Sequence, residues 1–291
     1  MTLRRTASSL YSHPKFYGAD LIVYCEGGAI RDPLDPEAFA ASPSTNDESF
    51  WQSVISTLDL GRSFHVKSLG SKSTLLSVAA DAERLGIRTI TVCVDRDYSE
   101  MVGSGEWPAR VVCTLGYSWE NDVVRYPVLQ RIASTFLGRP AEEGRLHEEL
   151  RSDLSCLAST AKQWCELDIA LVARRLPALF DRSAAPRHVD QTTGSLLQQD
   201  LELKKHQLTR EENHVDSFYI EEADVLRIIF GKLAAWCCYC IVRFRLRSYN
   251  CMPNISYDTF IRMAITEMRR LMESGDLPEL SNHFHSQKAA F

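Results

Sequence analysis

The sequence predicts an α/β protein with a mainly parallel sheet flanked by helices, followed by a mostly helical C-terminal half. Three observations carry this. Short apolar runs alternate with helically spaced segments over roughly the first 140 residues. Those runs are apolar at successive positions, as strands covered by helices on two sides must be. From about Gly144 onward helical periodicity takes over with few strand signals. The change of texture places a sheet-bearing domain at residues 1–142 and a mostly helical domain at 143–291.

The first strand is read in DLIVYCEGG, an apolar run that stops at Glu26 and two glycines. A polar, proline-containing stretch follows. Phe50, Trp51, Val54, Ile55 and Leu58 then recur at helical spacing over residues 48–60. Strand FHVKSLG, a helix over 74–85 and strand RTITVCVDRD come next, and the pattern closes with strand RVVCTLGY and one helix over about 120–136. In the second half, the periodicity is interrupted near Pro177 and across the polar stretch 181–194. A single long helix is expected over 219–247, with its basic residues bunched at the C-terminal end, where the helix dipole favours cations.

With 291 residues, 45% hydrophobic and 24% charged, the chain can bury an ordinary core. Nine cysteines scattered from Cys25 to Cys251, three of them inside apolar strands, fit a reducing cytoplasm rather than a disulfide framework. The opening MTLRRTASSLYSHPKF has no apolar stretch behind its arginines, so no secretory signal is read there. The longest apolar run, 233–242, is far short of the ~20 residues a membrane helix needs, and no membrane role is expected. Net charge is −5, but residues 226–270 hold eight basic side chains against two acidic ones, a local excess of +6. Such a segment is either a solvated helix surface or a grip for a polyanion.

Metal-assisted phosphodiester hydrolysis needs carboxylates converging on a small volume, because Mg²⁺ prefers oxygen ligands and activates water. In an open α/β sheet, ligands bind beyond the carboxyl ends of the strands. Glu26 ends the first strand, and Asp95 and Asp97 end a later one, where a strand's period of two would turn both side chains the same way. The glycines after Glu26 would let a phosphate approach the backbone. A single acid at a strand end is commonly a solvated loop residue; three at the ends of two strands are harder to dismiss.

A Glu closing the first strand with a D-x-D closing a later one resembles the Toprim fold of primases, topoisomerases and OLD-type nucleases. Gly116-Tyr117-Ser118-Trp119-Glu120-Asn121-Asp122 is a more specific motif. Taken with Val66-Lys67-Ser68-Leu69-Gly70-Ser71-Lys72 and Phe230-Gly231-Lys232, it is similar to the Toprim branch that supplies the AriB-type effectors of PARIS phage-defence systems. That resemblance implies a toxic antiphage endoribonuclease that cuts transfer RNA, is held inactive by an AriA-like ATPase and works as a homodimer. Carried over residue by residue, it implies Glu26 as a metal ligand or general base, Asp95 and Asp97 as metal ligands, the metal being Mg²⁺ with Mn²⁺ as the alternative, and Glu120 as a further catalytic carboxylate. Lys72, Lys232, Arg243, Arg245 and Arg247 are the candidate substrate contacts. Glu120 also suits a helix N-terminus as a dipole partner, Lys72 a phosphate contact or a solvated lysine, and Lys232 the site or an outward snorkel.

Other signals are weaker. Gly70-Ser71-Lys72-Ser73-Thr74 lacks the glycine spacing of a phosphate-binding loop, so no ATPase activity is expected of this chain. Cys237, Cys238 and Cys240 lie in an apolar helical run without a second pair, which favours packing over zinc, and His283-Phe284-His285 is read as a surface tail. A haloacid-dehalogenase-like phosphatase would carry its D-x-D after the first strand, where this chain has Glu26. The rival from another class is a nucleic-acid-binding or sensor subunit with a vestigial Toprim site.

Overall fold

The computed structural model describes residues 14–15, 17–27, 45–103, 107–210, 218–251 and 254–291, without the side chains of 200 and 207–210. Gly28 and the proline-containing stretch after it lie outside the described residues. Strands β1 (Leu21–Cys25), β2 (Phe64–Ser68), β3 (Ile90–Val94) and β4 (Val111–Cys113) form one sheet in the order β2-β1-β3-β4. Every pairing is parallel, with Val23 opposite Val66 on one side and Thr91 on the other. Helices α1 (Asn46–Ser56) and α2 (Lys72–Arg84) belong to the same part of the chain. The α/β class, with helices flanking a parallel sheet and a helical C-terminal half, is therefore the one the sequence predicts.

Two contact-dense units divide the chain. The first comprises Met1–Asp95, Gly105–Leu115 and Arg269–Phe291, and the second Arg96–Ser104 and Gly116–Met268. In the first, β1 and β3 are buried along their whole length, which explains why they read as unbroken apolar runs. Ile22, Tyr24, Ile90, Val92 and Val94 pack in one cluster with Leu75, Val78, Ala79 and Ala82 of α2. Helix α1 begins at a capping box, in which Thr45 Oγ1 accepts from Glu48 N at 3.1 Å, and it buries Phe50, Trp51, Val54 and Ile55.

Residues 283–285 are not a surface tail. They lie in α10 (Pro278–Ser286), where Phe284 is fully buried, edge-on to Trp51 at 5.8 Å and Phe50 at 6.3 Å. Burying that ring stabilises the unit by about 1.5–3 kcal/mol. Beyond α10, Gln287 accepts from Cys113 N–H at 2.9 Å and donates to Cys113 C=O at 3.1 Å, occupying both backbone groups of an edge-strand residue.

The second unit is built on α3 (Trp119–Val123), α4 (Tyr126–Leu137), the 34-residue α5 (Pro140–Ala173), α6 (Gln198–Arg210), α7 (Val225–Ile228), α8 (Gly231–Ser248) and most of α9 (Tyr257–Ser274). Two helices expected as single pieces are broken. The first parts between α3 and α4, where Pro127, without an N–H, starts a new helix after the Arg125 cap. The segment expected as one helix over 219–247 bends by 107° between Glu222–Ile228 and Gly231–Ser248. Asn121 Nδ2 donates to the freed carbonyls of Leu226 at 2.8 Å and Ile229 at 2.9 Å. Asn121 Oδ1 accepts from Ser118 N–H at 3.0 Å.

Gly231 is required at that bend by close approach, because a Cβ there would sit 1.8 Å from Ser118 Oγ and 2.7 Å from Asn121 Oδ1. Ser118 Oγ is itself held by Glu120 Oε2 at 2.5 Å. Gly231→Ala is expected to lower the unfolding free energy by about 1–3 kcal/mol, as overpacking does. Urea denaturation followed by tryptophan fluorescence measures it, and an unchanged midpoint would contradict this packing. Among the described residues no single helix is long and apolar enough to cross a membrane. Cys237, Cys238 and Cys240 are each at most 1% exposed on α8.

Candidate functional site

The strand order makes β1 and β3 neighbours whose connections leave in opposite directions, one toward β2 and the other toward β4. This is the topological switch point of the sheet, where the strand ends open a crevice for a ligand. Glu26 follows β1 directly and Asp95 follows β3 directly. Glu26 Oε1 accepts a hydrogen bond from Asp95 N–H at 2.8 Å. Lys72, the first residue of α2, donates from Nζ to Asp95 C=O at 2.6 Å, and its ammonium stands 5.2 Å from the centre of the Trp107 ring. Both backbone groups of Asp95 are thus held by charged side chains of opposite sign, which makes Lys72 a positioning residue for Asp95.

The chain leaves Glu26 through Gly27, at φ 101, and Gly27 and Gly70 exchange two backbone hydrogen bonds of 3.1 and 3.0 Å. A Cβ at Gly27 would lie 3.0 Å from the carboxylate of Asp47 in the first turn of α1, so glycine lets that acid reach the end of β1. Burial pushes the Cys25 thiol well above its ordinary value, and the negative fields of Asp47, Glu48 and Asp95 add to the effect against a hydrogen bond from Ser68. Glu48 is committed to structure, because its carboxylate accepts from Ser68 N at 2.8 Å and from Thr45 N at 3.4 Å. Asp47 had no motif to mark it in the sequence; only its approach to Gly27 brings it forward.

Asp97 lies in the second unit and does not continue the strand. β3 ends at Val94, and Asp97 has a left-handed backbone at φ 52 with its N–H donating to Tyr117 C=O at 2.7 Å. The period-two argument for Asp95 and Asp97 therefore does not apply, since alternation holds only in extended chain. Aspartate is among the few residues that tolerate this conformation.

The next residue anchors it. Tyr98 OH donates to Asp168 Oδ2 at 2.7 Å, and Asp168, fully buried on α5, also accepts from Leu179 N at 2.8 Å and pairs with Arg182. The Arg182 guanidinium stands over Phe230 at 4.5 Å, Tyr117 at 5.5 Å and Tyr98 at 5.8 Å. Burial pushes the Tyr98 phenol well up, with Cys165 and Asp168 adding to it. None of this hub was marked in the sequence, where Asp168 sits in a helical stretch and Arg182 in a polar loop.

Glu120, 5% exposed on α3, accepts from Ser118 Oγ. Burial raises the Tyr257 phenol, and Glu120 is the next cause. Of the basic candidates on α8, Arg245 is engaged within the fold: its Nη2 reaches Asp153 Oδ1 at 2.5 Å and its Nη1 Glu149 Oε2 at 3.4 Å. Lys232 and Arg247 are exposed and Arg243 half-buried.

The structure thus brings Glu26, Lys72 and Asp95 together in the first unit, and Asp97, Glu120 and the α8 cations belong to the second. Among the described residues no group of three or more His, Cys, Asp or Glu side chains converges to hold a metal ion. The donors at the switch point are carboxylate oxygens, the chemistry that Mg²⁺ and Mn²⁺ take. No protein-family model, curated protein or solved structure matches the chain.

Proposed function

We propose that the protein is a divalent-cation-dependent phosphodiesterase acting on nucleic acid, of the Toprim nuclease kind. The observation that carries this reading is the hydrogen bond that joins Glu26 to Asp95 at the switch point of a parallel sheet, with Lys72 on the other side of the same peptide. Glu26 and Asp95 would hold Mg²⁺ or Mn²⁺, which when bound lowers the pKa of water and offsets the charge of a phosphate. Glu26 keeps the Asp95 peptide in place and supplies negative charge where a cation is needed. Lys72 fixes the opposite end of that peptide and brings positive charge to the start of α2, where helix amides also favour an anion. The sequence resemblance extends the proposal to transfer RNA as substrate and to restraint by an AriA-like ATPase.

End-labelled transfer RNA, single-stranded RNA and plasmid DNA, each incubated with the purified chain in Mg²⁺, Mn²⁺ or EDTA, test the reading. Cutting of at least one pool in either metal and none in EDTA is expected. Cutting that survives EDTA would overturn the metal-dependent reading. Binding of RNA without cutting of any pool would instead favour a binding subunit. That second reading draws on the engagement of Glu26 and Lys72 with the Asp95 backbone, which a purely structural latch also needs.

A further inference from the structure

Helix α8 is a core helix over Gly231–Val242, where one line stays open. From Gly231 to Val242 all residues are buried except Lys232 and Trp236. Extending the helical period from these two reaches Arg243 and Arg247, so the four fall within one arc of the helix, along about 22 Å. That line carries three cations and an indole and no acid. None of the three cations pairs with a carboxylate among the described residues, whereas Arg245, on another face, is bound to Asp153 and Glu149.

The line is also shaped. Trp236 Nε1 donates to Gln191 Oε1 at 2.7 Å, and its ring lies 4.5 Å from that of Tyr257, tilted by 38°. The Arg243 guanidinium stands 5.0 Å over Tyr239, whose hydroxyl is tied to Ile255 C=O at 2.8 Å. Arg243 thus rests on a tied aromatic ring and Trp236 is held by Gln191, which reduces the entropy lost when a ligand orders them. Burial pushes the Cys240 thiol up to about 11, with Arg243 and Arg247 pulling against it and Asp190 adding to it.

We infer that the Lys232–Trp236–Arg243–Arg247 face of α8 is a binding track for a flexible single strand of nucleic acid, its phosphates paired with the three cations and a base stacked against Trp236. A spaced row of cations suits a polyanion, and a single edge-held indole suits an unpaired base rather than one inside a duplex. The inference rests on the nucleic-acid reading above but not on its cleavage step.

Fluorescence anisotropy of a 3′-labelled 12-nucleotide oligouridine, and of a blunt RNA duplex of the same length, titrated with the full chain in EDTA over a range of salt, tests it. The single strand is expected to bind more tightly than the duplex. Arg243→Gln/Arg247→Gln is expected to weaken it about tenfold and to reduce the salt slope by about 1.4, two phosphates at ~0.7 each. Trp236→Ala is expected to weaken binding at least about fivefold with an unchanged slope, and Trp236→Phe to restore most of it. Arg262→Gln/Arg269→Gln, which removes exposed cations of α9, is the control and is expected to leave binding within about twofold. Equal losses in the two arginine pairs, preference for the duplex, or no binding by the parent chain would overturn the track. Because EDTA silences any metal chemistry, a chain that binds as expected yet cuts nothing in Mg²⁺ or Mn²⁺ would sink the nuclease reading and leave the track standing.

Discussion

Under the proposed nuclease function, Glu26→Gln is expected to lower metal-dependent cleavage by about 10²–10⁴-fold, the span seen when a positioned acid or base is removed, while the thermal midpoint stays within a few degrees of the parent. The two halves of this expectation come from the same hydrogen bond. Glu26 Oε1 accepts from Asp95 N–H at 2.8 Å, and a glutamine amide oxygen can accept in the same place. What glutamine cannot supply is a negative charge at the ends of β1 and β3. Glu26→Ala removes the acceptor as well, and leaving the Asp95 N–H without it is expected to cost an additional ~1–3 kcal/mol of stability. Cleavage of end-labelled RNA beside thermal melts of both variants separates charge from latch. A glutamine variant that cuts like the parent, or that loses activity only in step with its fold, would sink a chemical role for Glu26.

The largest expected stability loss belongs to Asp168→Ala. Removing one partner of a fully buried ion pair costs about 3–5 kcal/mol; because the Arg182 side chain is 30% exposed and water takes up part of its charge, the loss expected here is at the lower end, about 3 kcal/mol. Asp168 is fully buried and also serves as acceptor for Tyr98 OH and for Leu179 N–H, so its removal orphans neutral donors together with the Arg182 guanidinium. The rings around Arg182 replace little of this, since at 4.5 to 5.8 Å they offer a quadrupole and not an ion. Urea denaturation gives the number, and a loss below about 1 kcal/mol would show that the pair is not the anchor its geometry suggests. Since Tyr98 is the residue after Asp97, amide exchange over residues 97–102 is expected to quicken in Asp168→Ala, and in Tyr98→Phe to a smaller degree. Unchanged exchange there in both variants would disconnect the hub from the Asp97 loop.

The parts of the fold that were legible share a local cause. β1 and β3 read as strands because burial on both sides demands apolar residues at every position, and α1 and α2 because one apolar stripe repeats at helical spacing. Glu26 and Asp95 stood out for the same reason, as the first polar residues after such runs. Asp97 was visible as the second acid of the D-x-D, but its direction was not readable, since nothing in that spacing announces a left-handed turn. The basic excess of 226–270 was visible as a sum and misleading in detail: Arg227, Arg245, Arg262 and Arg269 each pair with a carboxylate, two of Arg245's partners lying far off on α5.

By itself the sequence determined the class of the fold, the positions of its strands and the acids that close them, because hydrophobic periodicity and strand termination are local properties of the chain. Only the tertiary structure decided where the segment over 219–247 bends, which charges are consumed and which stay open. The bend before Gly231 exists because Asn121, over a hundred residues earlier, takes up the carbonyls it frees. Asp168 matters because, fully buried, it depends on the Arg182 cation it meets across the fold. The open line on α8 appears only once the other residues of Gly231–Val242 are covered. Such outcomes depend on pairs of residues distant in the chain, and the free energy of a buried polar group is set by the partner it meets there.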